Sequence, residues 1–363
     1  MRTLPAGSMI GILGGGQLAR MTALAAARLG FPCHVFCASA DEPALDVCAA
    51  RTVAAFDDCE ALTRFAQSVA VVTLEWENVP LEALDIIAAI TPVHPSASVL
   101  RVAQDRGLEK RFAREVGVGT ADFAIVKSAE ELQSAMERFT LPAILKSTRM
   151  GYDGRGQVTI TAGMDAADAW AQMGSGEGIL EAFVAFEQEV SVIVARREDG
   201  ALTAYPPVRN VHRDHILAET HAPAALDPAV QKEATALASQ LAMQLHVVGL
   251  LAVELFVLKE PNAKGQRVLM NEIAPRPHNS GHWTIDACPC SQFEMLVRCV
   301  AGLPLGSAVP HSQAVMHNIL GQDIAKCQGY IADPSACLHL YGKKESRTGR
   351  KMGHVTFLKG KWD

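Results

Sequence analysis

The chain opens with an apolar strand, a glycine turn and an alanine-rich helix, and this order constrains its fold more than any other feature. Met9 to Leu13 read as the strand, Gly14 to Gly16 as the turn, and Gln17 to about Leu29 as the helix. A second apolar strand, "CHVFC", follows. Because a strand, a helix and a further strand in this order form a parallel crossover, the sequence predicts an α/β fold that begins with a Rossmann-like parallel sheet.

The same turn raises the alternative of a dinucleotide enzyme. Gly14, Gly16 and Ala19 fit the pattern G-x-G-x-x-A, in which glycines let a phosphate approach the N-terminus of a helix. Such a site also needs an acid at the end of the second strand to hold a ribose, and the first acid here, Asp41, comes several residues late. A nicotinamide oxidoreductase therefore stays as the second interpretation.

A later strand of the same region, "SVAVVTL", is followed by Glu75, Trp76, Glu77 and Asn78. The carboxyl ends of strands are where α/β sheets place their ligands. These residues are candidates for a binding site, with a solvated loop as the alternative.

A second glycine-rich passage, "LPAILKSTRMGYDGRGQVTIT", predicts a β-hairpin with a flexible loop. One strand ends near Lys146, the loop contains Gly151, Gly154 and Gly156, and a strand of alternating residues follows. No G-x-x-x-x-G-K-[ST] string occurs in the chain, which excludes a Walker loop. Backbone amides of such a lid can close over phosphates that Lys146 and Arg155 neutralise. A flexible surface hairpin is the alternative.

Two acids are predicted to face each other in a third hairpin. The segment "GLLAVELFVLKEPNAKGQRVLMNEIA" contains a strand, a turn and a second strand, and Glu254 and Glu272 are the acids within its paired parts. Facing positions of an antiparallel hairpin sum to a constant, and the midpoint of these two numbers falls within the turn. Facing carboxylates repel unless a cation neutralises them, which predicts a magnesium site. A bulge that turns one acid outward is the alternative.

The hairpin runs into the irregular segment "NEIAPRPHNSGHW", which is rich in polar groups. His278 and His282 have the spacing of two zinc ligands on a helix, but Pro275 and Pro277 oppose a regular helix there. The segment is therefore predicted to be a loop whose polar groups converge on a ligand other than zinc. His282 and its neighbour Trp283 are expected to pack in the core.

Composition narrows the choice of partners. A net charge of -6 argues against nucleic acid or an anionic membrane surface, so an anionic ligand must be held by local cations. The nine cysteines, an odd number, together with the lack of a secretory signal, predict reduced thiols and a cytoplasmic location. A chain of 363 residues with 49% hydrophobic content is expected to form two or three domains.

The glycine lid and the paired acids resemble the ATP-grasp superfamily. Within it the chain is similar to the N5-carboxyaminoimidazole ribonucleotide synthetases, and five strings carry the likeness in order: "GGGQLARM", "GYDGRGQ", "EQEVSVIVAR", "NEIAPRPHNSGHWT" and "YGKKESRTGRKMGH". The strings span nearly the whole chain. Thr348 is a departure, because the family tends to have proline before that glycine.

The resemblance implies a chemistry for the polar loop. Bicarbonate would attack the γ-phosphate of ATP to give carboxyphosphate, and the carboxyl group, directly or as carbon dioxide, would pass to the amine of aminoimidazole ribonucleotide. Magnesium on Glu254 and Glu272 would bridge the phosphates. The residues implied in catalysis are Tyr152, Arg276, His278 and Asn279.

The resemblance also implies two sets of binding residues. The expected ATP site comprises Arg106, Lys146, Gly151, Tyr152, Asp153, Gly154, Arg155, Gly156, Gln157, Glu181, Ala182, Phe183, Val184, Glu189, His212, Asn271 and Glu272. The expected site of the acceptor ribonucleotide comprises Gly16, Gln17, Trp76, Glu77, Asp153, Arg155, Lys343 and Arg350.

The expected organisation has three parts. Residues 1–105 form the N-terminal Rossmann-like domain, residues 106–305 the ATP-grasp core with a flexible glycine lid subdomain at about 118–182, and residues 306–363 a small β-rich C-terminal domain. A homodimer is implied by the resemblance alone. Besides the oxidoreductase, the alternatives are a related ATP-dependent ligase with another acceptor and a nucleotide-binding regulator without turnover.

Overall fold

Three sheets organise the part of the chain that the structure describes. The structure is a computed structural model and describes residues 3–151, 156–174 and 176–361. Four residues that the sequence assigns to the site lie outside the described residues: Tyr152, Asp153, Gly154 and Arg155.

The first sheet is parallel, with strand order β3-β2-β1-β4. Its strands β1, β2 and β4 are buried along their whole length, because helices cover a parallel sheet on both faces. The parallel start predicted from the opening residues is confirmed. The elements of this part are β1 Ile10–Leu13, α1 Gln17–Arg28, β2 Cys33–Cys37, β3 Ala50–Val53, α2 Cys59–Gln67, β4 Val71–Leu74, α3 Leu81–Ala88, α4 Ala97–Ala103 and α5 Arg106–Glu115.

The second sheet is antiparallel, with order β5-β8-β6-β7, and two helices pack on it around an apolar cluster. Strands β6 and β7 form the predicted glycine hairpin, in which Lys146 pairs with Gln157. The elements are β5 Phe123–Val126, α6 Ala129–Met136, β6 Ala143–Ser147, β7 Gln157–Ile160, α7 Ala166–Met173 and β8 Gly178–Ala182.

The third sheet has nine strands in the order β14-β13-β9-β11-β12-β15-β17-β16, with β10 beside β9. Helix α8 packs on β9 and β13 through an apolar cluster. The elements are β9 Phe186–Arg196, β10 Leu202–Ala204, β11 Val208–Arg213, β12 Ile216–Ala222, α8 Pro228–Gln244, β13 Gly249–Leu258, β14 Val268–Ala274, α9 Thr284–Ala287, α10 Gln292–Val300, β15 Ser312–Leu320, α11 Cys327–Ala332, β16 Ala336–Leu340 and β17 Lys351–Lys361.

The C-terminal strands extend this sheet. Strand β15 pairs with β12 and carries β17 on its other side, and β16 pairs with β17. The predicted α/β class, with an N-terminal parallel sheet and C-terminal antiparallel strands, is confirmed. The division at residues 105 and 305 stays our proposal, since the nine-stranded sheet runs across the second boundary.

The hairpin of β13 and β14 has the predicted register at its acids, where Glu254 faces Glu272. The register changes immediately afterwards, because Leu255 faces Met270 and leaves Asn271 as the extra residue of a bulge. The bulge predicted as the alternative therefore exists, but it lies one step past the acids and leaves them face to face. Among the described residues, no helix is long and apolar enough to cross a membrane.

Candidate functional site

A cavity of about 980 Å³ lies where the three sheets meet. Its volume is at the upper end of the range for small-molecule sites, as a cavity for more than one substrate requires. Most of the described residues expected at the site line it: Gln17, Trp76, Glu77, Arg106, Lys146, Gly151, Gln157, Glu181, Ala182, Phe183, Val184, Glu189, His212, Glu254, Asn271, Glu272, Arg276, His278 and Asn279.

Four expected residues do not line this cavity in the described part of the chain, namely Gly16, Gly156, Lys343 and Arg350. Gly156 lies at the end of the lid hairpin with a φ of 67°, a conformation that favours glycine. Lys343 is partly buried near the cavity rim, where burial, assisted by Arg350, lowers its pKa to about 8. Arg350 donates to the backbone oxygen of Glu345 at 2.9 Å and lies at the surface.

One wall of the cavity has a buried acid between two lysines. Lys146 Nζ lies 2.7 Å from Glu181 Oε2, and Lys110 Nζ lies 3.1 Å from Glu181 Oε1. Burial opposes the charge of Glu181, but the two lysines outweigh it and hold its pKa at about 2. Lys110 also donates to the backbone oxygen of Asn271 at 2.8 Å, which ties helix α5 to strand β14. Two cations against one acid leave this wall suited to an anion such as phosphate.

Aromatic rings form the adjoining wall. Phe186 and Phe256 stack with ring centroids 4.8 Å apart and an interplanar angle of 10°. Phe183 is exposed beside them, where strand β8 has ended. A flat apolar surface of aromatic rings is the kind of surface on which a nucleobase stacks.

Glu189 and His212 form a pair on the next strands of the sheet. His212 Nδ1 lies 2.7 Å from Glu189 Oε2. Burial disfavours the charged imidazole, but the hydrogen bond and the charge of Glu189 outweigh it and raise the pKa of His212. Both side chains of this pair line the cavity, and they lie one strand away from the aromatic wall.

The two facing acids lie on the cavity floor, each beside a cationic or ionisable partner. Glu272 Oε2 is 3.4 Å from Arg106 Nη2, and Glu254 Oε1 is 3.1 Å from His278 Nε2. Burial raises the pKa of Glu254, but His278 and the more distant cations outweigh it and hold this pKa at about 2. Glu254 is therefore a carboxylate at neutral pH and can act as a metal ligand.

The donor set on this floor fits a hard cation that a ligand completes. Asn271 Oδ1 is buried and has no hydrogen-bond partner among the residues that the structure describes, and it belongs to the bulged residue beside Glu272. Among the described residues, no group of three or more His, Cys, Asp or Glu side chains could hold a metal by itself. Two carboxylates and an amide oxygen suit magnesium, which usually takes further oxygens from phosphates and water.

Arg276 reaches across the cavity to the N-terminal sheet. Its Nε and Nη2 both donate to the Glu77 carboxylate, with Nη2 at 2.7 Å from Oε1, and its Nη1 donates to the Pro277 oxygen at 3.0 Å. Burial opposes the charge of Glu77, but Arg276 outweighs it and lowers the pKa of this acid. Two residues that we expected to hold different substrates are thus partners in one bidentate pair.

The polar loop after β14 is held in place by Gln292 of helix α10. Gln292 accepts from the backbone nitrogen of His278 at 2.9 Å and donates to the backbone oxygen of the same residue at 2.7 Å. Asn279 forms a reciprocal amide pair with Asn318. His282 and Trp283 are buried, as expected, and the two histidines do not meet on one helix face because only a short 3-10 turn, Asn279–Gly281, lies between them.

The glycine turn at the start of the chain is filled by the protein itself. Glu75 accepts from the backbone nitrogens of Gly16 at 2.8 Å and Ala19 at 3.3 Å. A Cβ atom at Gly16 would lie 2.7 Å from Glu75 Oε1. The carboxylate occupies the place that a pyrophosphate takes in a dinucleotide site, which removes the main support for an oxidoreductase.

Glu109 and Lys110 are residues at the site that the sequence did not point to, whereas Glu75 was expected there as one of the candidate binding residues after a strand. Lys351 belongs to the C-terminal basic run, which was expected to bind the phosphate of the acceptor. Glu109 accepts from the backbone nitrogen of Ile273, and burial, together with Glu272, raises its pKa to about 8. Glu109 and Lys351 line the cavity. No sequence signal marks Glu109 or Lys110, because charged residues of a helix usually lie in solvent.

Family models match three consecutive stretches of the chain. The ribonucleotide synthetase preATP-grasp domain matches residues 8–104, the ATP-grasp domain residues 111–293, and the phosphoribosylaminoimidazole carboxylase C-terminal domain residues 314–363.

Two relatives are each 46% identical to the chain. The N5-carboxyaminoimidazole ribonucleotide synthase of Brucella melitensis aligns over 360 residues, which are 98% of this chain and 98% of that protein. A bifunctional purine synthesis protein of Dictyostelium discoideum aligns with 97% of this chain, which spans only 37% of that relative's length.

Solved structures agree with the fold. An N5-carboxyaminoimidazole ribonucleotide synthetase in complex with ADP superposes with a TM-score of 0.94 at 38% identity, covering 99% of this chain and 94% of that one. An Aspergillus clavatus N5-carboxyaminoimidazole synthase in complex with ADP and 5-aminoimidazole ribonucleotide gives a TM-score of 0.90 at 30% identity, covering 98% and 94%.

Proposed function

Because the chain belongs to the N5-carboxyaminoimidazole ribonucleotide synthase family of ATP-grasp enzymes, we propose that it carboxylates 5-aminoimidazole ribonucleotide at the expense of ATP. It is an ATP-dependent ligase of purine biosynthesis. Bicarbonate supplies the carboxyl group, and ADP and phosphate are released. A cytoplasmic location and a homodimer are further parts of this proposal.

ATP lies along the wall that joins the lid sheet to the nine-stranded sheet. The base stacks beside Phe183 and Phe256, the ribose hydroxyls meet Glu189, and the phosphates lie over Lys146 and Arg106. Support comes from the excess of cations at Glu181 and from the cavity that all these residues line. Gly151 and Gln157, at the two ends of the lid, line the cavity beside the phosphates.

Glu254, Glu272 and the oxygen of Asn271 would hold magnesium together with phosphate oxygens of ATP. When bound, it supplies positive charge to the oxygens on which charge accumulates during phosphoryl transfer. Arg106 and His278 then give up their present carboxylate partners and are available to the phosphates and to bicarbonate. The protein's contribution is mainly positioning and electrostatic stabilisation.

Carboxyl transfer takes place between Arg276 and the lid. A bicarbonate oxygen attacks the γ-phosphorus, the bond to ADP breaks, and carboxyphosphate forms. The acceptor amine then bonds to the carboxyl carbon in one of two ways: it attacks carboxyphosphate and phosphate leaves, or carboxyphosphate first splits into phosphate and carbon dioxide and the amine adds to the carbon dioxide. In both routes the amine loses a proton. The two N–H groups of Arg276 that Glu77 and the Pro277 oxygen leave free, with His278, Asn279 and Tyr152, hold the carboxyl oxygens.

The acceptor ribonucleotide lies between the N-terminal sheet and the C-terminal strands. Gln17, Trp76 and Glu77 line the cavity there, and Lys343 and Arg350 supply cations at its rim for the phosphate. The backbone N–H of Gly16 already donates to Glu75, so it is not a free donor for the ribonucleotide. Gly16 instead allows the ribonucleotide to approach the backbone closely.

One observation carries the proposal: the facing acids Glu254 and Glu272 share a cavity with the phosphate-binding cations on one side and with Arg276 on the other. The test is the rate of ADP release from purified protein when one substrate is omitted at a time. We expect release that requires ATP, bicarbonate and aminoimidazole ribonucleotide together. Release that another amine or carboxylate supports equally well would instead favour a related ligase, and quenching of NADH fluorescence on binding would favour the oxidoreductase.

A further inference from the structure

The ring of His278 is approached from one side by two groups of Ser280. The Ser280 hydroxyl lies 2.8 Å from His278 Nδ1, and the Ser280 backbone nitrogen lies 3.3 Å from the same atom. A backbone N–H can only donate, so Nδ1 must be the bare, accepting nitrogen. The proton of the neutral ring is therefore on Nε2, the nitrogen that faces Glu254 in the cavity.

The Ser280 hydroxyl is the last member of a chain of buried hydrogen bonds that crosses the nine-stranded sheet. Thr220 Oγ1 donates to Asn210 Oδ1 at 3.2 Å, and Asn210 Nδ2 donates to Ser191 Oγ at 3.0 Å. Ser191 Oγ then donates to Ser280 Oγ at 2.7 Å. The chain begins on β12, passes through β11 and β9, and ends at the polar loop.

The amide of Asn210 gives this chain a direction. Its NH₂ group can only donate and its oxygen can only accept, so the Ser191 oxygen receives a proton from one side and must give its own on the other. Thr220, Asn210, Ser191 and Ser280 are all buried, so water does not offer competing partners. Each hydroxyl proton is directed toward His278 Nδ1.

We propose that Asn210, Ser191 and Ser280 form a relay of positioning residues that fixes His278 as the Nε2–H tautomer. His278 is thereby a hydrogen-bond donor to the carboxyl group under transfer and does not serve as a general base from Nε2. The inference rests on the proposed function for the identity of that carboxyl group. The relay itself is a property of the free protein.

The first test is nitrogen NMR of the free protein labelled at histidine. A bare and a protonated imidazole nitrogen have well-separated 15N shifts, and the His278 signals are identified by their loss in His278→Gln. We expect a protonated Nε2 and a bare Nδ1 in the wild type. In Ser280→Ala only the longer backbone contact, at 3.3 Å, still holds Nδ1 as an acceptor, so the fraction of the Nδ1–H tautomer should rise. In Ser191→Ala it should rise by less, because the closer Ser280 hydroxyl remains.

The second test is the kinetics of the same variants. Ser280→Ala should lower kcat about 10- to 100-fold, the range found when outer hydrogen-bond partners of functional histidines are removed. Its half-saturation for ATP should change by less than about twofold, because uniform substrate binding is not affected. Thr356→Val is the matched control, since it removes a buried hydroxyl that has no hydrogen-bond partner within the described part of the chain.

A bare Nε2 in the wild type would overturn the relay, and so would an unchanged tautomer in Ser280→Ala. An equal loss of kcat in Thr356→Val would also overturn it, because the effect would then be a general response to a lost hydroxyl. A wild-type protein with the expected NMR signature but no carboxylation activity would contradict the proposed function, while the relay would still be supported.

Discussion

Two ion pairs lie at the same cavity, and they differ in burial. The Lys110 and Glu181 side chains are 1% and 4% exposed, whereas those of Arg106 and Glu272 are 19% and 42% exposed. The first pair fastens helix α5 to the lid sheet, and the second lies on the cavity floor where ligands enter. We refer to them as the buried pair and the floor pair.

The difference separates structural charges from functional ones. A buried charge without its partner is costly, so the buried pair must persist whether or not nucleotide is bound. Water screens the floor pair, so the pair contributes little to stability. Glu272 can therefore leave Arg106 for a metal cation, and Arg106 can leave Glu272 for a phosphate. Substitutions in the two pairs should therefore appear in different measurements.

The largest effect is expected from Glu181→Gln. The substitution leaves Lys110 buried without an opposite charge, which should lower the free energy of unfolding by about 3 to 5 kcal/mol. Chemical denaturation measures it. Glu60→Gln removes an acid from an exposed pair and should change stability by less than about 1 kcal/mol. Equal losses in the two variants would remove the distinction between the pairs.

The same pair predicts a pH dependence. The pKa of Glu181 is about 2 in the folded protein against an ordinary value of 4.5, so its contribution is complete above pH 4.5. Since the folded pKa is the lower one, this contribution is lost as the pH falls from 4.5 towards 2. The stability difference between wild type and Glu181→Gln should shrink over that interval.

The next largest effect is expected from Glu272→Gln on the floor pair. Turnover should fall by about 10²- to 10³-fold, because a charge that the phosphoryl-transfer site needs is removed, while stability changes by less than about 1 kcal/mol. Steady-state rates over a magnesium titration give the result. Glu260→Gln, at the exposed turn of the same hairpin, is the control. An unaltered magnesium dependence in Glu272→Gln would contradict the metal site.

Arg276→Lys tests a pair that is intermediate between the buried pair and the floor pair, because Arg276 and Glu77 are partly buried and also belong to the site. The lysine keeps a cation beside Glu77 but loses the planar fork, so kcat should fall about 10- to 100-fold at saturating acceptor. Thermal melts should show a folded protein. A change confined to the half-saturation of the acceptor would place bicarbonate elsewhere.

The smallest effect is expected at the rim. Arg350→Ala should raise the half-saturation of aminoimidazole ribonucleotide about tenfold with little change in kcat, as the loss of one charged hydrogen bond of about 1.5 kcal/mol predicts. Arg347→Ala is the control, because Arg347 is exposed and pairs with Glu345 in the same segment. Equal effects in both variants would indicate a general loss of positive charge and not a phosphate contact.

The sequence could predict features that depend on local periodicity. The parallel start follows from one strand, one turn and one helix, and the facing acids follow from the symmetry of a hairpin about its turn. The polar loop was expected to contact a ligand because its prolines and its many polar groups leave no regular structure.

Features that depend on packing between residues far apart in the sequence could not be predicted from local periodicity. Glu75 fills the turn at Gly16, 59 residues earlier in the chain, so a pattern that looks like a phosphate site is satisfied internally. Lys110 of helix α5 is buried because Glu181 reaches it from the lid sheet and the Asn271 oxygen reaches it from the nine-stranded sheet. The bulge at Asn271 depends on how β14 packs against neighbouring elements. The position of the bulge therefore could not be predicted from the symmetry of the hairpin about its turn.

The central claim is that one cavity couples the cleavage of ATP to carboxylation of the ribonucleotide. The direct measurement is the ratio of labelled carbon from bicarbonate recovered in the ribonucleotide to ADP released, in the same reaction. We predict one carbon for each ADP in the wild type and a ratio well below one in Arg276→Lys, in which the carboxyl group is held less firmly. ADP release by the wild type without labelled carbon in the ribonucleotide, or carboxylation without ATP, would contradict the account.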